Sequence, residues 1–342
     1  MAQAYMTETG NGGSEPEPSG SRLRRRLAGL RRDRGIWRRG IVIAAVAALI
    51  SLVMIFHAEL PNDVGNLGSL TETFLPWLGL AVPLLFAAAV VRKSATALIA
   101  ILLTAGVWVN LFGSLVLDKS GSGGNLMVAT HNVDADNPDP QDTAAQIARS
   151  GADVLALTEL KGSAVPVYEE ALAGTYKYHS VEGTVGVWSK YPLSSSAPVD
   201  IKVGWTRAMR TTVDSPYGRI AVFAAHLPSV RVKLNAGFTA NQRDNSAGAL
   251  GNALAAEPLK KVILLGDLNG TMNDRSLSDV TSQMRSTQGA AGDGFGFSWP
   301  AQFPMARIDQ IMVRGIKPEA SWTLPRTGSD HLPVAARVTV KP

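Results

Sequence analysis

The 342-residue sequence contains no cysteine. This absence excludes disulfide bridges, thiolate zinc sites and a cysteine nucleophile. The sequence also has no glycine-rich phosphate loop, no dinucleotide-binding fingerprint and no internal repeat. Nucleotide hydrolysis of the P-loop type, Rossmann-type redox chemistry and solenoid folds are therefore excluded as well.

The C-terminal two thirds of the chain lacks a surplus of basic residues. Residues 121–342 contain 21 basic and 20 acidic side chains, whereas nine of the 33 Lys and Arg residues lie within residues 22–39. The calculated pI of about 9.5 thus reflects the N-terminal segment, and the near-neutral remainder does not have the charge expected for gripping a phosphate backbone. We expect no nucleic-acid partner.

Three apolar stretches follow the arginine-rich segment, at Gly40–Phe56, about Phe74–Val91 and Ala95–Leu117. Each is long enough and sufficiently free of charge to predict a transmembrane helix. Basic residues precede the first stretch, none occurs in the loop His57–Thr73, and Arg92 and Lys93 separate the last two stretches. The positive-inside rule then puts the N-terminus in the cytoplasm and the chain after Leu117 outside the cell.

This pattern divides the chain into four parts. We predict a disordered, basic cytoplasmic tail at 1–39, a three-helix transmembrane region at 40–117, a short flexible linker at 118–124 and an extracytoplasmic domain at 125–342. The 222 residues from 121 onwards are enough to bury a core as one domain. Many short apolar runs with few long helices predict an α/β fold of two packed sheets with helices outside.

The apolar run Val262–Leu265 ends at Gly266 and is followed by Asp267 and Asn269. These two side chains are two positions apart, so they project to the same side of an extended backbone. A carboxylate can take or orient a proton, and an amide can hold water or phosphate. An Asp/Asn turn after a strand is also common without any function, so the interpretation depends on partners elsewhere in the chain.

Such partners follow other predicted strands. Polar residues that end a strand or lie close to one occur in this order: Asn132, Glu159, His226, Asp267, Asn269, Asp309, Asp330 and His331. The ordered set resembles the endonuclease/exonuclease/phosphatase superfamily over about residues 125–340. The resemblance implies a four-layered α/β sandwich, that is, two packed mixed sheets flanked by helices, with the site at one end of the sheets.

The residue types also indicate metal-dependent phosphoester chemistry. Glu159, with Asn132 and Asp330, offers the oxygen ligands that Mg²⁺ prefers, with Mn²⁺ as an alternative. The resemblance implies that Asp309 orients a protonated His331 against phosphate and that His226 is a second phosphate-binding histidine. Asp267 is expected to orient or deprotonate the attacking water, and Asn269 to hold water or phosphate.

The predicted membrane anchor narrows the range of possible substrates. Three N-terminal spans joined to such a domain resemble the actinobacterial VanJ-type membrane proteins associated with teicoplanin resistance. That resemblance implies hydrolysis of a lipid-linked pyrophosphate such as undecaprenyl pyrophosphate. A membrane-tethered nuclease or sphingomyelinase-like phosphodiesterase and a non-catalytic resistance protein remain as alternatives, and the oligomeric state is left open.

A few other residues receive structural interpretations. His131 precedes Asn132 on the same predicted strand and therefore points to the opposite face, which predicts a structural role. Trp205, Trp299 and Phe303 lie in turn-rich stretches. For these three we favour packing over an exposed apolar rim for lipid.

Overall fold

The computed structural model describes residues 35–62, 66–229 and 237–341. The predicted disorder of residues 1–21 and most of the basic tail lie outside the described residues. Within the chain, contacts define two compact units: Met1–Leu49 with Leu80–Thr104, and Ile50–Gly79 with Ala105–Pro342. The second unit extends beyond the predicted start at residue 125 and includes residues 50–79 and 105–124.

The N-terminal helices are predominantly apolar. Their bounds are α1 Ile41–Ile55, α2 Leu67–Phe74, α3 Ala81–Val91 and α4 Ala95–Val116, with a 3-10 helix at Leu75–Leu80. In the first unit, Ala47, Ala89, Ala97 and Ile101 form a small apolar cluster. Small side chains of this kind allow helix backbones to approach closely.

Two helical segments among the described residues are long and apolar enough to cross a membrane, Leu67–Val91 and Ala95–Val116. The expectation of three such helices is therefore corrected to two. The stretch Gly40–Phe56 forms only the 15-residue helix α1, which at about 1.5 Å per residue falls short of a hydrocarbon core of about 30 Å. The predicted loop His57–Thr73 is also corrected in part, because α2 begins within it at Leu67.

The first β-sheet is mixed and has the strand order β11-β12-β1-β2-β4-β3. Only β1 and β2 pair in parallel; the other neighbours are antiparallel. The strand bounds are β1 Leu126–Asn132, β2 Val154–Thr158, β3 Tyr178–Glu182, β4 Val185–Ser189, β11 Lys317–Thr323 and β12 Val334–Thr339.

The second β-sheet is also mixed, with the order β5-β6-β7-β8-β10-β9 and a parallel pair at β7 and β8. Its strand bounds are β5 Leu193–Pro198, β6 Ala208–Ser215, β7 Gly218–His226, β8 Val262–Asp267, β9 Arg285–Ser286 and β10 Asp309–Arg314. The remaining helices are α5 Pro140–Ala148, α6 Val165–Leu172, α7 Gly237–Ala255, α8 Ser278–Thr281 and α9 Thr287–Ala291, with a 3-10 turn at Arg275–Leu277.

The two sheets pack face to face and carry helices on their outer faces. In β8, Ile263 and Leu265 face the core between the sheets, whereas Val262 and Leu264 face the cluster that includes the apolar side chains of α7. Helices α5 and α6 pack on the outer face of the first sheet. This arrangement confirms the predicted α/β fold with two mixed sheets flanked by helices, and it explains why the β8 run is apolar at every position.

The segment 118–124 is hydrogen-bonded to the sandwich. Lys119 N donates to Gly292 O at 3.1 Å, and Gly121 N donates to Glu319 O at 2.6 Å. These two hydrogen bonds hold the segment against the surface of the second unit.

Candidate active site

Strand register brings the predicted residues to one end of the two sheets. In the first sheet Asn132 lies opposite Thr158, the residue before Glu159. In the second sheet Asp267 lies between His226 on β7 and Asp309 on β10. Gly266 permits this close pairing, because a Cβ built on its backbone would lie 1.9 Å from Ala225 O. The proximity of these side chains follows from the strand registers of two different sheets. The spacing of the residues along the sequence does not reveal those registers.

A cavity of ≈ 430 Å³ opens at this end of the sandwich. Seven of the eight predicted residues line it, and the eighth, Asp309, lies buried behind His331. The lining residues from the predicted set are Asn132, Glu159, His226, Asp267, Asn269, Asp330 and His331.

Asp267 is the centre of the hydrogen-bond network. Its Oδ2 accepts from Asn132 Nδ2 at 3.0 Å, and its Oδ1 accepts from the backbone N of Asn269 at 2.8 Å. His226 Nε2 lies 3.6 Å and His331 Nε2 3.9 Å from Asp267 Oδ2. Burial raises the pKa of Asp267 to about 7, against the opposing attraction of His331. A carboxyl group with a pKa near neutrality can exchange a proton with water.

His331 and Asp309 form a buried pair. His331 Nδ1 donates to Asp309 Oδ2 at 2.8 Å, which leaves Nε2 to face the cavity. Burial alone would lower the pKa of His331, but attraction to the carboxylates, Asp309 first, outweighs it and raises that pKa to about 10. For Asp309, burial is likewise outweighed by the imidazolium, so its pKa lies below the usual range. The pair thus presents a fixed positive charge to the cavity.

Glu159 follows β2 in a backbone conformation that few non-glycine residues adopt, with φ +62°. Among the described residues none donates a hydrogen bond to its carboxylate, and His226 Nε2 lies 4.0 Å away. Strained, unpaired side chains of this kind are concentrated at functional sites. Asp330 is more exposed, and its Oδ2 accepts from Trp299 Nε1 at 3.4 Å.

The sequence model of the Endonuclease/Exonuclease/phosphatase family matches residues 129–331, more than half of the chain. The chain belongs to the endonuclease/exonuclease/phosphatase family. Members of this family are phosphoesterase and nuclease hydrolases and generally use divalent metals. No curated protein matches the sequence.

Solved structures agree with this fold at low sequence identity. An endonuclease/exonuclease/phosphatase from Bacteroides vulgatus is 16% identical with a TM-score of 0.52, covering 63% of this chain and 99% of its own. Danio rerio TDP2 complexed with a single-strand DNA product is 18% identical with a TM-score of 0.52, covering 63% and 98%. Beta toxin of Staphylococcus aureus is 15% identical with a TM-score of 0.51, covering 62% and 99%.

The family's use of divalent metals can be tested against the cavity residues. Glu159 provides carboxylate oxygens that accept no hydrogen bond from the described residues, and Asp330 provides a second carboxylate, so a hard cation such as Mg²⁺ or Mn²⁺ fits this donor set. The Asn132 amide oxygen is less available to a metal, because Oδ1 already accepts a hydrogen bond from Asp134 N at 3.0 Å. Glu159 is therefore the ligand that the structure favours among the three predicted.

Asp267, Asp309 and His331 also place ligand atoms within 4.8 Å of one another in the described part of the chain. This buried group was not the predicted metal set. His331 Nδ1 already donates to Asp309 Oδ2 at 2.8 Å, and attraction to the carboxylates raises the pKa of the imidazole to about 10, so a metal at His331 would have to displace a proton. We therefore interpret this group as an acid–base network rather than a metal cage.

Arg207 also lines the cavity and was missed in the sequence. Burial lowers its pKa, while attraction to Glu159 and Asp267 opposes that effect. A guanidinium beside the two carboxylates is suited to bind a phosphate. Arg207 stands in an ordinary Thr-Arg-Ala stretch before β6, so no local pattern distinguishes it from other arginines.

The two remaining histidine predictions concern His226 and His131. Burial, with repulsion from Arg207 and His331, lowers the pKa of His226 well below its usual value, so His226 is a neutral imidazole at the cavity. His131 is fully buried, its ring Nε2 lies 2.9 Å from Thr327 Oγ1, and burial lowers its pKa to about 3. The predicted structural role of His131 agrees with this environment.

The exposure of two aromatic residues differs from the sequence-based expectation. Trp205 and Phe303, for which packing was expected, are 60% and 64% exposed. Trp299 lines the cavity. The preference for packing is therefore wrong for Trp205 and Phe303, whose side chains are mostly exposed.

Proposed function

We propose that the chain is a metal-dependent phosphohydrolase that hydrolyses a lipid-linked phosphate or pyrophosphate, with undecaprenyl pyrophosphate as the expected substrate. One observation supports it most: an acid–base carboxyl group, two fixed cations and an unpaired carboxylate line one cavity. That combination is suited to the attack of water on phosphorus. The proposed site of action is the outer face of the cytoplasmic membrane.

Each residue has a defined task in the proposed reaction. Asp267 accepts the proton of the attacking water. Asn269 Nδ2 donates to Leu227 O at 2.9 Å, which fixes the amide so that its Oδ1 can accept a hydrogen bond from that water. His331, held by Asp309, stabilises negative charge that develops on the phosphoryl oxygens. A divalent cation held by Glu159, with Asn132 and Asp330, would polarise a phosphoryl oxygen and offset charge on the leaving group.

A substrate panel tests this proposal directly. The full-length protein in detergent should release phosphate from long-chain lipid pyrophosphates or monophosphates faster than it cleaves sphingomyelin or DNA. The near-neutral charge of residues 121–342 supports this order. Preferential cleavage of DNA would establish a nuclease instead, and preferential cleavage of sphingomyelin a phosphodiesterase. Loss of a teicoplanin-resistance phenotype in Glu159→Gln would link resistance of the VanJ type to hydrolysis.

The extracytoplasmic location requires an odd number of membrane crossings. We propose that α1, although shorter than the two candidate spans, also crosses the membrane, because its 15 residues carry no charge and several of its large side chains are exposed, including Val42, Leu49 and Leu52. Local bilayer thinning can accommodate a short span at modest free-energy cost. The nine basic residues at 22–39 favour a cytoplasmic N-terminus.

Reporter fusions distinguish odd from even numbers of crossings. Alkaline phosphatase fused after Pro342 should be active, because that enzyme folds only outside the cytoplasm, and a fusion after Lys93 should be inactive as the matched cytoplasmic control. The opposite pattern at Pro342 would mean that α1 does not cross the membrane and that the catalytic residues face the cytoplasm.

A further inference from the structure

Helix α2 forms one wall of the catalytic cavity although it precedes the family-matched region by more than 50 residues. Its side chains Ser69, Leu70, Thr73 and Phe74 line the cavity together with the catalytic groups. Glu159, Asp267 and His331 form the ionic side of the cavity, whereas Leu70 and Phe74 supply apolar surface. The cavity thus has an ionic side and an apolar side.

Buried hydrogen bonds fix α2 to the loop that carries Asn269. Arg243 Nη2 donates to Ser69 Oγ at 3.0 Å, and Arg243 Nη1 donates to Asn269 O at 3.1 Å. The same guanidinium pairs with Asp274 at 2.6 Å, and both side chains are almost completely buried. At the far end of the helix, Thr271 Oγ1 donates to Glu72 O at 3.2 Å. The apolar wall therefore has a fixed position relative to the catalytic groups.

The same helix is the first part of the candidate membrane span Leu67–Val91. Just beyond it, Trp77 Nε1 donates to Met305 O at 2.8 Å, and the Trp77 ring stacks on Phe297 with centroids 5.7 Å apart. The exposed ring of Phe303 lies 6.5 Å from Trp77. Aromatic side chains of this kind are typical of the membrane interface.

We propose that Leu70 and Phe74 are specificity-determining residues that bind the apolar chain next to the phosphate of a lipid-linked substrate. Selectivity for lipid then comes from the helix that precedes the family domain, while the family residues perform the hydrolysis. This inference rests on the proposed function and adds to it the residues that recognise the chain.

The test compares two substrates that share a headgroup. The kcat/KM of the full-length protein in detergent is measured for a long-chain polyprenyl pyrophosphate in micelles and for a five-carbon prenyl pyrophosphate. Leu70→Ser and Phe74→Ser should each lower the long-chain to short-chain ratio by about tenfold or more, the scale for lost apolar contacts in a binding pocket. Phe74→Leu, which keeps an apolar side chain, should retain most of the ratio.

Leu67→Ser is the matched control. Leu67 lies on the same helix and is exposed, but it does not line the cavity. The long-chain to short-chain ratio of kcat/KM for Leu67→Ser should therefore equal that of the wild type. Circular dichroism and thermal unfolding verify that each variant is folded. A high wild-type ratio that survives both serine variants would overturn this inference alone. A wild-type ratio near one would overturn the lipid substrate and the inference together.

Discussion

Replacing His331 by alanine is expected to lower the turnover rate by about 10²–10⁴-fold, and Asp309→Asn by a similar factor. Asp309 accepts from His331 Nδ1 at 2.8 Å and is the leading attraction that raises the pKa of that imidazole to about 10. Without Asp309 the ring loses the acceptor that orients it and the largest attraction that favours its charged form. Because the two residues act as a unit, the double variant should be little slower than His331→Ala.

The pH profile provides an independent readout of this pair. A raised histidine pKa means that the charged form is present at neutral pH and is lost only as the pH rises towards 10. In Asp309→Asn the alkaline decline in rate should move to a lower pH, because burial then acts with less opposition. His179→Ala is the control, since His179 is half-exposed, pairs with Glu169 and does not line the cavity.

Rates of the four proteins in the double-mutant cycle, with circular dichroism and metal titration, complete this test. Fully additive losses would show that His331 and Asp309 act independently. Recovery of normal turnover at higher metal concentration would assign them to metal binding instead. Either result would contradict the proposed phosphate-facing pair.

The sequence predicted best those elements that are buried on both faces. Strands β2 and β8 are apolar runs that end next to Glu159 and at Asp267, so both the strands and their terminal polar residues were recognisable. Strand β5, Leu193–Pro198, was missed because it is a serine-rich edge strand that faces solvent along most of its length. A strand with little apolar surface has no periodic signal to detect.

Helix α2 shows a different limit of sequence reasoning. The predicted loop His57–Thr73 covers all of α2 except Phe74, and Glu72 and several small polar residues interrupt the apolar pattern there. In the structure Ser69 and Glu72 are buried against the sandwich. Ser69 accepts a hydrogen bond from Arg243 and Glu72 accepts one from the backbone N of Arg275, about 170 to 200 residues later in the chain. Such long-range polar contacts leave no local pattern, and the same is true of the position of Arg207 in the cavity.

Removing divalent metal is expected to abolish hydrolysis, with Mg²⁺ or Mn²⁺ restoring it after EDTA treatment. Glu159→Gln should lower turnover by at least about 10²-fold, because it removes a cavity carboxylate that accepts no hydrogen bond within the described part of the chain, while keeping the size of the side chain. Glu182→Gln is the matched control: Glu182 ends β3 in the same sheet but does not line the cavity. The Glu182→Gln variant should keep the metal affinity of the wild type.

Two measurements on each protein separate metal binding from damage to the fold. Calorimetric titration with Mg²⁺ should show weakened binding in Glu159→Gln and wild-type binding in Glu182→Gln, while circular dichroism remains unchanged in both. Relief of φ strain at residue 159 is not expected to confound the result, since glutamine has the same backbone preference as glutamate. Full activity in excess chelator, or equal losses in the two variants, would show that Glu159 does not hold a catalytic metal.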